Sequence, residues 1–264
     1  MENEKLENYE GQRLENYTIN EGYYLPSRGK IYSKPVKPLV ELTAMNGFDE
    51  LRRKGNSVAP LKVLADLIEK CMIEKPAIHV YDMSLGDYQY LLQKLRVITY
   101  GSAYLMDVRC PNCGRHVEIE TDLDEFEAEE LDLDEFEEKS NITLPVSGDK
   151  IGLNFQTPHL IDAIDDKAKE LKRKMKELKM DFTSFATLLL TINNVNGEQL
   201  PLGDLGEYIK KMHAKDLRFL EISIDKLNEV MGGIVTITKT CPECEEELDV
   251  TFRFGPDFFR PEIL

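Results

Sequence analysis

Four of the five cysteines in this 264-residue chain fall into two short repeats, Cys110-Pro-Asn-Cys113-Gly and Cys241-Pro-Glu-Cys244-Glu, with 127 residues between them. A C-x2-C pair sets two thiolates on one tight turn, and two such turns supply the four sulfurs that a tetrahedral zinc ion accepts at about 2.3 Å each. The proline of each repeat fixes one φ, and Gly114 can take the positive φ that turns backbone N–H groups toward sulfur. Cys110, Cys113, Cys241 and Cys244 are therefore expected to hold one structural Zn2+ ion. Sulfur fills all four positions and leaves none for water, so the ion is expected to cross-link and not to catalyse. A redox C-x-x-C would sit at a helix start in a βαβ context, which neither repeat shows. Disulfides would imply secretion, whereas the acidic start Met-Glu-Asn-Glu-Lys runs into no apolar region. His116, three residues past Cys113, could be a ligand only by displacing a cysteine, and Cys71, in an apolar helical stretch, reads as an inert core residue.

Sulfurs so far apart in sequence need a scaffold to meet. Strand-like runs at 104–109 and 116–121 flank the first repeat, and runs at 234–240 and 248–254 flank the second, which predicts two hairpins tipped by cysteine knuckles. Upstream, Pro60 and the face Leu61, Leu64, Ala65, Ile68 and Cys71 predict a helix over 60–72. Ser84 to Asp87 has the form of a capping box, opening a helix with the stripe Tyr88, Leu91, Leu92, Leu95 and Ile98 that Gly101 closes. Between the knuckles the pattern predicts strands at 142–146 and 150–155 around Ser147-Gly148-Asp149, then helices at 159–179, 182–193 and 204–230, the last broken near His213. In the first of these helices Ile161, Ile164, Ala168, Leu171, Met175 and Leu178 form a narrow heptad seam that asks for a second helix, inside the chain or outside it. The expected fold class is α+β, with helices packed around a four-cysteine zinc ribbon of two knuckle-tipped β-hairpins and a mainly helical insertion. The chain divides accordingly into an acidic N-terminal tail (1–22), an N-terminal helical region with the first zinc hairpin (23–121), an acidic and helical insertion (122–233), and the second zinc hairpin with an aromatic C-terminal tail (234–264).

The net charge is −16, and eleven acids without one base fall in the seventeen residues Asp122 to Glu138; without that segment the charge is −5. Such a face repels phosphate, and the second knuckle carries Glu243, Glu245, Glu246 and Glu247 where a nucleic-acid reader would carry Lys or Arg. Nucleic acid is not the expected partner. The acidic segment repeats Leu-Asp-Glu-Phe-Glu at Leu123 and Leu133, either as solvated turns with Phe126 and Phe136 tucked in or as a docking strip for a basic partner. The 42% hydrophobic content supports a core, and no apolar run approaches the ~18 residues of a membrane span, so no membrane is expected. His79, His116, His159 and His213 stand apart, and H-E-x-x-H, G-x-S-x-G, P-loop and dinucleotide fingerprints do not occur; no catalytic residue and no enzyme are expected. The first twenty residues are polar and acidic, with a Leu-Glu-Asn-Tyr echo at Leu6 and Leu14, and alone would be disordered. Two aromatic, proline-containing segments, Tyr23 to Tyr32 and Phe254 to Pro261, are the first choice for interfaces, the alternative being that they cover the chain's own core.

The succession of Tyr24-Leu-Pro-Ser-Arg-Gly-Lys-Ile-Tyr32, Val40-Glu-Leu-Thr43 with Asp49-Glu50, Leu95-Arg-Val-Ile-Thr-Tyr-Gly101 running into the first knuckle, and the second knuckle with Phe258-Phe259-Arg-Pro261 resembles the T-even-type bacteriophage baseplate hub protein family. That resemblance implies a component or assembly factor of the baseplate hub, working with other baseplate, hub or tail proteins in the virion or, during assembly, in the host cytoplasm. Glu245 departs from it where glycine is expected, and the turn there is expected to be strained or held in a different conformation. The competing expectation is a zinc-ribbon adaptor of transcription or replication that contacts nucleic acid; a mobility shift at low salt would separate the two.

Overall fold

The computed structural model describes residues 20–55, 59–125, 130–231, 236–251 and 256–259. β1 (Asn20–Tyr24) pairs antiparallel with β2 (Leu39–Thr43), Tyr24 opposite Leu39. α1 (Gly47–Arg53) follows a reciprocal capping box of Asn46 and Asp49. α2 (Pro60–Cys71) opens on its proline and turns Leu64, Ala65, Leu67, Ile68 and Cys71 inward. α3 (Leu85–Tyr100) buries Tyr88, Leu91, Leu92, Leu95 and Ile98, the stripe its sequence predicts, and ends at Gly101. These faces, with Leu25, Leu42, Val80 and Met83, make a first hydrophobic core in which Cys71 is fully buried.

Half of the capping box expected at Ser84 forms, and the other half is replaced by a long-range contact. The Ser84 hydroxyl accepts from the Asp87 N–H at 3.2 Å. The Asp87 carboxylate instead accepts from the Ser27 N–H at 3.0 Å, from the Ser27 hydroxyl at 2.5 Å and from the Tyr32 hydroxyl at 2.5 Å. The Ser84 N–H donates to that same Tyr32 oxygen at 3.0 Å, so tyrosine stands in for the missing cap. Burial raises the Asp87 carboxyl above the usual carboxylate range, against the hydrogen bonds from Ser27 and Tyr32. A polar group this deep must be satisfied, and the satisfaction ties the amino-terminal segment to α3.

After Gly101 the chain runs into β3 (Ala103–Arg109) and back along β4 (His116–Asp122), with Arg109 opposite His116 at the tip. β4 alternates, presenting Val117, Ile119 and Thr121 to the interior. Near the carboxyl end β8 (Thr236–Thr240) pairs with β9 (Glu247–Thr251), and Thr240 faces Glu247 at that tip. The two hairpins are separate two-stranded sheets. Met106, Cys110, Val117, Ile119, Cys241 and Leu248 of the two hairpins pack into the first core with its helices, while a second core forms without the hairpins.

That second core lies within the segment between the knuckles. It joins Leu144, Ile151, Leu153, Phe185, Leu188, Leu189, Ile192, Val195, Leu205, Ile209, Leu220, Ile224 and Leu227. Its helices are α4 (Leu133–Ser140), α5 (Pro158–Lys174), α6 (Phe182–Thr191), α7 (Leu202–Lys211) and α8 (Ala214–Val230). Alongside them β5 (Asn141–Thr143), β6 (Lys150–Leu153) and β7 (Ile192–Val195) form an antiparallel sheet in the order β5-β6-β7. β7 corrects the helix expected over 182–193, whose last two residues are its first two. Ile151 pairs with Val195 and Leu153 with Ile192, and a Cβ on Gly152 would lie 2.2 Å from the Asn194 side chain, which a larger residue would have to displace. The heptad seam of α5 finds its second helix within the chain, where Ile164 and Ala168 pack on Ala186 of α6. α5 stops at Lys174, short of the expected end, with Lys172, Arg173 and Lys174 complementing its carboxyl-terminal dipole. α7 and α8 break where His213 caps α8, its Nδ1 accepting from the Lys215 N–H at 3.1 Å.

Candidate metal centre

Each knuckle is a six-residue connection between paired strand ends, 110–115 and 241–246, and both fold by the same hydrogen bonds. In the first, Cys110 N–H donates to Arg115 O and Gly114 N–H to Cys110 O, both at 2.9 Å. In the second, Cys241 N–H donates to Glu246 O and Glu245 N–H to Cys241 O, again both at 2.9 Å. Gly114 takes φ +73°, and Glu245 at the equivalent place takes +60°. The strain expected at Glu245 is thus present as a side chain held in the left-handed region, which costs an L residue about 1–2 kcal/mol.

The fold brings all four predicted cysteines together, with every pair of sulfurs within 4.8 Å. Cys110 Sγ lies 3.8 Å from Cys244 Sγ, and Cys113 Sγ lies 3.9 Å from Cys241 Sγ. The first cysteine of each knuckle is buried and the second more open. Backbone N–H groups of Cys113 and Asn112 draw the Cys110 thiol down to about 7, against the opposing effect of its burial. At Cys244 the N–H of Glu246 favours the thiolate, but burial and the other three sulfurs outweigh it and push the thiol up to about 12. Four ionised sulfurs this close repel one another, and a cation among them removes that cost. This donor set can hold a metal ion.

Two contacts between the knuckles were not legible in the sequence. The Asn112 side chain donates to Glu247 O at 3.2 Å, and the Arg115 guanidinium pairs with Glu243. Glu243, read as part of a phosphate-repelling run, therefore joins one knuckle to the other. Nothing local marks such a pair, because its members come from distant parts of the chain. His116 stays out of the sulfur cluster and places Nδ1 3.2 Å from Asp107.

Each of the two segments expected as interfaces contributes residues to the interior, while Tyr24 of the first stays 56% exposed. Leu25 and Ser27 of the first are 0% and 2% exposed, and Phe258 and Phe259 of the second are 1% and 0% exposed. Arg96 on α3 holds the second in place by donating to Phe258 O at 3.0 Å. The rest of that segment, Phe254 and Gly255 with Arg260 and Pro261, lies outside the described residues, as do the Leu-Glu-Asn-Tyr echo and Phe126. Phe136 is tucked against the second core as expected, on a helix and not a turn. Within the acidic segment, Glu130 pairs with Arg28 at 3.1 Å and Leu131 N–H donates to Pro26 O at 2.9 Å. Among the described residues, no helix is long and apolar enough to cross a membrane.

A family model described as "T4 bacteriophage base plate protein" matches residues 42–260. That span begins in β2, includes both knuckles and ends one residue past Phe259. No curated protein matches the chain, and no solved structure does.

Proposed function

The chain belongs to the T4 bacteriophage base plate protein family, and from that membership we propose that it is a structural or assembly protein of a tailed-phage baseplate hub. It works by protein–protein contact with other baseplate, hub or tail proteins, without enzymatic activity, in the virion or in the host cytoplasm while the particle is built. The observation that carries this reading is the family match over most of the chain, residues 42–260. Four acids around the second knuckle, Glu243 and Glu245 to Glu247, weigh against the nucleic-acid adaptor.

On the same footing Cys110, Cys113, Cys241 and Cys244 are ligands of a structural Zn2+ ion. Zn–S bonds of about 2.3 Å in a tetrahedron put sulfurs about 3.8 Å apart, and the two closest sulfur pairs stand at 3.8 and 3.9 Å. When bound, zinc supplies a cross-link and no reaction. Its ligands close a loop of more than a hundred residues, which ties the second knuckle to the first across the 122–233 insertion. Metal analysis of purified, reduced protein is expected to find one zinc per chain; a folded sample with a ratio near zero sinks the assignment. Cys110→Ser and Cys241→Ser should lose the metal, and Cys71→Ser should keep it. Affinity capture from phage-producing cells tests the wider reading, with tail-tube, hub or tape-measure proteins expected and polymerase subunits pointing to the adaptor.

A further inference from the structure

In a chain of net charge −16, one surface is basic. An open groove of about 1120 Å³ runs along α5, lined by Ala163, by Leu190 of α6, by five bases between Lys167 and Lys176 and by the acids Asp166 and Glu170. Part of its charge is already matched: Lys167 and Lys174 pair with Glu170 at 2.9 and 2.5 Å, and Lys169 pairs with Asp165 at 2.5 Å. Lys172, Arg173 and Lys176 are exposed and make no ion pair among the described residues. The carboxyl end of α5 offsets only about half a unit of their charge.

The same chain presents the complement. α4, fixed at its start by Asp132, carries Asp134, Glu135 and Glu137 exposed and without an ion pair among the described residues. Its Phe136 and Leu133 are half-buried, so the acids stand on a helix already anchored to the second core. The three acids span about one helical turn, roughly 5 Å, and the three bases lie within five residues at the end of α5 and in the turn after it. We propose that the α5 groove of one copy takes α4 of a second copy. The overall repulsion between two acidic chains acts across tens of ångströms and is screened beyond about 10 Å at 0.1 M salt, whereas charges facing each other at a few ångströms are screened much less and lose their attraction only at higher salt. Groove and helix are different surfaces, so the contact is head to tail, and each added copy leaves one groove and one α4 open, giving a ring or a growing row. This goes beyond the hub reading and rests on neither the metal nor the family.

Sedimentation velocity on the full-length, zinc-loaded protein tests it, at about 50 mM and about 500 mM salt, where the Debye length is about 14 and about 4 Å. The weight-average mass is expected to rise with concentration in low salt and to stay at one chain in high salt. Lys172→Glu with Arg173→Glu and Lys176→Glu should hold the protein at one chain in both, as should Asp134→Lys with Glu135→Lys and Glu137→Lys. The two triple reversals combined in one chain should restore association, which a variant that merely misfolds cannot do. A wild-type protein that stays at one chain in low salt overturns the proposal. So does a combined variant that is folded by circular dichroism and stays monomeric. A monomeric wild type that instead shifts an oligonucleotide through Lys172, Arg173 and Lys176 also overturns it and assigns the groove to a polyanion.

Discussion

Replacing Arg96 by methionine should detach the carboxyl-terminal aromatic turn from the first core while leaving the second core in place. Arg96 is 2% exposed and spreads its guanidinium over three backbone carbonyls, Phe258 O at 3.0 Å, Gly101 O at 2.8 Å and Ala103 O at 3.1 Å. The same cation lies 4.8 Å from the Tyr104 ring centroid and 5.7 Å from that of Phe258. Hydrogen bonds to a charged group contribute about 1.5–3 kcal/mol each, which would sum to about 5–9 kcal/mol if they were independent. They are not, and removing the cation also relieves its desolvation, so the expected net loss is about 3–5 kcal/mol. With a urea m-value of about 3 kcal/mol/M for a chain of this size, the unfolding midpoint should fall by about 1–2 M at unchanged m. Arg96→Lys keeps the charge but cannot span three carbonyls, and should lose at least about 2 kcal/mol. Hydrogen exchange should quicken at residues 101–104 and 256–259 but not in β5 to β7. Midpoints within about 0.3 M of wild type for both variants, or exchange that quickens equally in both cores, would refute the reasoning.

Phe258→Ala and Phe259→Ala should each cost about 3–5 kcal/mol in thermal or chemical unfolding, because both rings are fully buried; a tail that serves only as an interface would tolerate them. Glu245→Gly should stabilise the zinc-bound protein by up to about 1 kcal/mol, since it removes the Cβ strain at φ +60° while adding freedom to the unfolded chain. The Arg53 guanidinium, with the Tyr100 hydroxyl, holds the Glu50 carboxyl at about 2, well below its ordinary 4.5. Its stabilising contribution is therefore complete above pH 4.5 and is lost as the pH falls through about 2. Glu50→Gln should be about 2 kcal/mol less stable than wild type at pH 7 and converge on it toward pH 2, as read from unfolding midpoints across that range. A constant difference would mean that the carboxylate's charge is not what stabilises the fold.

What the sequence determined by itself is what short-range geometry decides. A C-x2-C turn with proline can present two sulfurs whatever surrounds it, and period-two patterning on either side of it makes a hairpin. The first helical position of Pro60, the stop at Gly101 and the break near His213 follow from backbone groups within a few residues. The strain at residue 245, where φ is +60°, was legible in part, because the family resemblance expects glycine there. Tertiary structure alone decided which distant group would satisfy each buried polar atom. Asp87 could have completed its own capping box, but Ser27 and Tyr32 offered three donors and a covering surface. Arg96 reads as one more base in a helix until the carbonyls of Gly101, Ala103 and Phe258 converge on it. The strand Ile192–Val195 was partly announced by the Asn196-Gly197 turn after it, with φ of +54° and +85°, but its edge became a strand only because β6 had unpaired groups beside it. The aromatic end of the chain is apolar enough for an interface or a core. Burial is a property of the partner surface as much as of the residue, and only the assembled first core could show that Phe258 and Phe259 belong to it.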